Sequence, residues 1–107
     1  MRELKKLYRV NGEDWNLDPG RSYLAIRAED NAMLGRGIGK GYLVVFTDAA
    51  VEDGDVAVVN LKGKLCARIV RYCGDCVVLY STAQQEPEVE DKACVLGKAV
   101  LVAGKPA

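Results

Sequence analysis

The sequence predicts an all-β domain, and three observations carry that reading. The apolar and β-branched runs SYLAIRA, YLVVFT, DVAVVNL, KLCARIVRY, CVVLYS and CVLGKAVLV are each of strand rather than helix length. Compact turn formers separate them: Glu52-Asp53-Gly54-Asp55, Lys62-Gly63-Lys64 and Cys73-Gly74-Asp75-Cys76. Two of the runs, YLVVF and CVVLY, are apolar on both faces, as expected of central strands covered twice, by a second layer or by a partner subunit.

In chain order, residues 1–20 mix charges with turn formers, show no sustained period and read as an N-terminal arm ending in the turn Asp18-Pro19-Gly20. Trp15 reads as the anchor that packs this arm onto the sheet. The strands occupy residues 21–104, and residues 105–107 form a tail. The segment from Thr82 to Lys92, TAQQEPEVEDK, is polar and acidic, carries Pro87, and reads as a surface loop. No repeat or linker divides residues 21–104, so one core is expected; a chain of this size buries roughly two thirds of the surface it exposes when unfolded.

Composition excludes several classes of function. Fifteen basic residues balance fifteen acidic ones, leaving no overall positive field for a phosphate backbone. DNA is therefore expected to be bound only through a separate domain. No apolar stretch follows the basic start MRELKKLYR and none approaches the length of a membrane span, so a cytoplasmic protein without membrane contact is expected. The chain has no histidine, which removes the Ser-His-Asp triad, the Cys-His pair and imidazole-based zinc sites. Ser22 and Ser81 are the only serines, and both read as solvated strand ends.

The stretch GRGIGKG, residues 35 to 41, superficially suggests a phosphate-binding loop. A Walker-type loop needs four residues before its Gly-Lys, a Ser or Thr after it, and a helix offering its first amides. Here three residues separate Gly35 from Gly39-Lys40, Gly41 follows, and the next element is a strand. Rossmann spacing is absent as well. The stretch reads as a glycine-rich excursion between two strands.

The surrounding residues carry a resemblance. Tyr23-Leu24-Ala25-Ile26-Arg27-Ala28 is followed by Asp30-Asn31-Ala32-Met33, and Lys40-Gly41-Tyr42 leads into Leu43-Val44-Val45-Phe46. Then come Gly54-Asp55-Val56-Ala57-Val58-Val59, Ala67-Arg68-Ile69 and a closing Gly97-Lys98-Ala99-Val100. In order and spacing these blocks resemble the C-terminal peptidase domain of LexA, UmuD and the lambdoid phage repressors, over roughly residues 18 to 104. That family has Gly-Asp-Ser-Met at the first block and a lysine on the return strand of the later hairpin. The resemblance implies a LexA-like, signal-peptidase-like fold of short, mostly antiparallel strands.

It also implies lost chemistry. In the family the seryl hydroxyl attacks the chain's own peptide bond after a buried neutral lysine takes its proton. Ala32 stands in the serine's place. Ala67 or Arg68 stands in the lysine's place, and neither a methyl group nor a permanently charged guanidinium is a base. The family cuts Ala-Gly or Cys-Gly upstream of the serine, whereas the arm has only Asn11-Gly12, and Ala103-Gly104 lies at the other end. These three absences favour a natural pseudo-peptidase without cofactor or metal. The expected function is an oligomerisation and interaction module of a phage-type or stress-response transcriptional repressor, with a recombinase filament or antirepressor as a further partner. The alternatives are a freestanding UmuD-like partner of a translesion polymerase and a still-active self-cleaving serine peptidase. A surviving cleft would involve Met33, Gly35, Gly37 and Gly39. Since family members dimerise through their C-terminal strands, a homodimer or higher oligomer would use Val100, Leu101 and Val102.

Cys73 and Cys76 flank what reads as a two-residue hairpin turn and would face each other across it. The first reading is unlinked thiols, followed by a disulfide and then by a metal site, since the chain has one CxxC where zinc ribbons pair two. Cys66 and Cys94 lie in apolar runs and read as small buried hydrophobes.

Overall fold

The structure is a computed structural model that describes residues 7–9, 20–83 and 86–104, with side chains from residue 20 onward. It is all-β. The strands are β1 (Leu7–Arg9), β2 (Tyr23–Arg27), β3 (Leu43–Thr47), β4 (Val56–Leu61), β5 (Lys64–Cys73), β6 (Cys76–Tyr80), β7 (Glu88–Asp91) and β8 (Val95–Ala103). Two short 3-10 turns, η1 (Leu34–Arg36) and η2 (Lys92–Cys94), lie between them. All pairings are antiparallel, in the order β2-β3-β8-β4-β5-β6-β7, with β1 joined to β8.

The expected runs became β2 through β6 and β8, and the tight connections behave as their residues dictate. Lys62 and Gly63 both take positive φ, 52° and 85°, in the two-residue turn between β4 and β5. That is the combination a primed hairpin turn requires. Gly74, at φ 62°, opens the equivalent turn between β5 and β6.

Two expectations are corrected. Within the segment read as an arm, Leu7–Arg9 is a strand that pairs with Leu101 to Ala103 of β8. Within the segment read as a loop, Glu88–Asp91 is a strand on β6, with Val89 opposite Val78. Carboxylate side chains are poor in strand propensity and therefore hid it, yet charge is a common way to blunt an edge strand. Trp15 and the tail lie outside the described residues.

Each face of the sheet carries a cluster of buried side chains. One is built from Val44, Val56, Ala67, Ala99 and Val102 and is capped by Met33 and Ile38 from the excursion after β2. The other joins Ala57, Val59, Val70, Val77 and Leu79, with Val51, Cys66 and Cys94 packed against it. The sheet is also strongly curled. Laid flat, β2 and β5 would lie roughly 19 Å apart, four strand spacings. Instead Lys64, at the start of β5, forms an ion pair with Glu29, just past β2.

Lys98 on β8 is the one buried lysine among the described residues, 4% exposed, and its ammonium lies 3.3 Å from the Asp55 carboxylate. The same carboxylate accepts the Glu52 amide, which ties the pair to the turn before β4. Next to it, Gly97 lies where a Cβ would meet Phe46 Cδ2 and the Thr47 carbonyl, each at 2.6 Å.

Removing one partner of a buried ion pair strands the other, so Lys98→Ala should lower unfolding stability by about 3–5 kcal/mol in urea titrations. Gly97→Ala, which must push against backbone, should cost about 1–3 kcal/mol in the same measurement.

Candidate functional site

The excursion after β2 is held by local polar contacts that its sequence supplies. Asp30 Oδ1 accepts the Ala32 amide at 2.9 Å, and Asn31 Oδ1 accepts the Lys40 amide at 2.8 Å. Asp and Asn are suited to such turns because their short side chains reach nearby backbone donors. After η1 the chain reverses at Gly37, whose φ of 83° is readily available only to glycine. Met33 and Ile38 then pair as an isolated bridge and bury their side chains beneath it.

Thr82 fastens this excursion from a distant part of the chain. Its hydroxyl accepts the Gly35 amide at 2.9 Å and lies 3.0 Å from the Ala32 carbonyl, which also accepts the Thr82 amide. Gly35 is needed for the approach, since a Cβ there would lie 2.8 Å from Thr82 Cβ. Every amide from Leu34 to Ile38 and from Lys40 to Tyr42 thus donates within the chain. A phosphate loop needs its amides turned toward the ligand. These glycines build a plug.

Beside the plug, between β2 and the first half of β5, lies an open cavity of about 220 Å³. Ile26, Ala28, Met33, Ile38, Val44 and Ala67 supply apolar lining. Arg27, Glu29, Lys64, Arg68 and Glu88 contribute charges of both signs. The exposed Lys64 ammonium is held above the usual lysine range by its hydrogen bond and charge attraction to Glu29.

The resemblance left Ala67 and Arg68 as alternatives, and the pleat separates them. Ala67 is buried in the cluster that contains Met33 and Ile38. Arg68 follows it, half-buried, with its guanidinium donating to the Ala67 carbonyl at 2.7 Å. Ala32 is half-buried immediately before Met33. Met33 lines the cavity, whereas Gly35, Gly37 and Gly39 belong to the plug and do not. Val100 and Val102 are buried within the chain, and of the three residues expected at a dimer contact Leu101 keeps surface.

All four cysteines are free thiols. Cys73 and Cys76 are exposed cross-strand partners at the hairpin tip. Cys66, which also lines the cavity, and Cys94 are half-buried, and desolvation pushes both thiols up from their ordinary range. A thiol so disposed is a poor nucleophile. Among the described residues no group of three or more potential ligands is placed to hold a metal ion, and no helix is long and apolar enough to cross a membrane. No family model and no curated protein sequence matches the chain.

Sequence reasoning missed the role of Thr82 and the Glu29–Lys64 contact. Each joins segments tens of residues apart, and no local signal marks either.

Thr82→Val keeps the shape and removes the hydroxyl, so amide hydrogen exchange at Gly35 should accelerate and stability should fall by about 0.5–1.5 kcal/mol for each hydrogen bond lost. The raised Cys66 and Cys94 thiols set a pH dependence. The folded state favours their neutral form, so their contribution is intact below the unfolded thiol pKa of about 8.5 and is lost as pH rises through the folded values. Thermal unfolding scans should show this alkaline decline, and it should shrink in Cys66→Ala.

Proposed function

We propose that this chain is a LexA-like domain without peptidase activity that works by association, as the oligomerisation and interaction module of a phage-type or stress-response transcriptional repressor. The observation that carries the reading is the pair of methyl groups at Ala32 and Ala67. The first adjoins Met33 in sequence, and the second shares its buried cluster. In the resembled family this is where an attacking hydroxyl and an uncharged amine would be needed. Hydroxyl-to-acyl transfer cannot begin from two methyl groups, because neither provides a lone pair or accepts a proton.

Two other candidates for chemistry, Lys98 and Cys66, are already engaged or unreactive. Lys98 is engaged by the Asp55 carboxylate at 3.3 Å. Cys66 is a thiol made less acidic by burial. What the domain offers instead is shape: a curled sheet with an open cavity whose lining combines apolar side chains with charges of both signs.

Sedimentation velocity at micromolar concentration should show a dimer or larger species, and a strict monomer would count against association as the working principle. Incubation at alkaline pH should leave the chain at full length by mass spectrometry; a discrete shorter product would mean that a nucleophile is present after all.

A further inference from the structure

The hairpin tip between β5 and β6 places two exposed thiols where the resembled peptidase chemistry has no use for them. Cys73 and Cys76 are direct cross-strand partners on either side of a two-residue turn, so their side chains leave the same face of the sheet. The turn is held independently of the sulfurs. Gly74 adopts the positive φ of 62° that it requires, the Lys92 amide donates to the Asp75 carbonyl at 3.3 Å, and Cys76 is paired in turn with Asp91 of β7. From this geometry we infer that Cys73 and Cys76 form a reversible disulfide, making the hairpin tip a thiol-oxidation site.

Spacing supports the bond and also limits its strength. Residues paired across an antiparallel ladder have Cα atoms roughly 4.5–5.5 Å apart, within the roughly 4.4–6.8 Å that disulfides span. Their Cβ atoms stand roughly 4.5–5.5 Å apart, against about 3.8 Å in a relaxed bridge, so the sulfurs close only with some strain. The closed loop is among the shortest a chain can make, and short loops gain least from cross-linking. Strained, exposed disulfides are the easily reduced ones. The bond is therefore a switch rather than a staple.

The oxidant is a low-molecular-weight disulfide. One cysteine, as thiolate, attacks a sulfur of that disulfide, forms a mixed disulfide and releases one small thiolate. The second cysteine then displaces the other small thiolate and closes the Cys73–Cys76 bond. The two protons from the protein thiols go to the released thiolates. In balance, the protein loses two hydrogens and one small disulfide becomes two thiols. Cys66 and Cys94 are set apart from this exchange because burial keeps them as thiols.

The test equilibrates the full chain in buffers of oxidised and reduced glutathione, blocks remaining thiols with N-ethylmaleimide, and follows the tryptic peptide from Tyr72 to Lys92, which contains both cysteines. The expected result is loss of two hydrogens from that peptide with neither cysteine blocked, reversed by reduced glutathione, while Cys66 and Cys94 still react once the chain is unfolded. In Cys76→Ser, Cys73 should instead accumulate as the glutathione adduct. Separate glutathione adducts on Cys73 and Cys76 of the unaltered chain, bridges between copies, or pairing with Cys66 or Cys94 would each overturn the inference. So would two thiols that remain free at every ratio.

Discussion

Backbone pairing along β8 is the constraint on which the rest of the architecture depends, because this strand pairs on both of its edges. One edge runs against β3, from Leu43 opposite Ala103 to Thr47 opposite Lys98. The other is divided: β4 takes Val95 to Lys98, and β1 takes Leu101 to Ala103. The ladders to β3 and β4 each contain a register shift. Such irregularities bend a strand and increase its twist. Gly97 lies in this region, close against Phe46 and the Thr47 carbonyl, and Lys98 follows with its buried charge matched by Asp55. A larger residue at 97, or an unmatched ammonium at 98, would disturb the strand that joins both halves of the sheet.

The curl of that sheet creates the candidate site. Bringing β2 toward β5 would leave an unfilled interior if the segment between β2 and β3 were an ordinary surface loop. That segment folds inward instead, and Met33 and Ile38 fill the concave side. Its glycines allow the reversal and the close contact with Thr82, while its amides are consumed by internal hydrogen bonds. The cavity beside it is lined by apolar side chains together with Arg27, Glu29, Lys64, Arg68 and Glu88. Ala67 is buried with Met33 in one cluster, and Ala32 is half-buried at the start of the plug.

Some of this was legible in the residues themselves. β-branched runs bounded by Gly and Asp marked β2 through β6 and β8, because local propensity, apolar patterning and turn chemistry agree there. The failed spacing around Gly39-Lys40 was enough to set aside a phosphate loop, and the internally bonded amides explain that failure physically. Ala32 was visible as a methyl group in a block that resembles a serine block. The strands that escaped notice are those whose stability comes from a neighbour. β7 consists mostly of carboxylates and is held by β6, and β1 has three residues and is held by the free stretch of β8.

By itself, then, the sequence determined the fold class, the hairpin turns, the lack of any histidine and the failure of GRGIGKG to match phosphate-loop spacing, because each follows from residue type and short-range spacing. Tertiary structure alone decided that Ala67 rather than Arg68 joins Met33 in one buried cluster, that Lys98 finds Asp55, and that Thr82 fastens the excursion at Ala32. The physical reason is the same in all three cases. Strand register and sheet curl set which face a side chain occupies and which distant residue it meets, and a shift of one residue in the ladder would reverse every assignment.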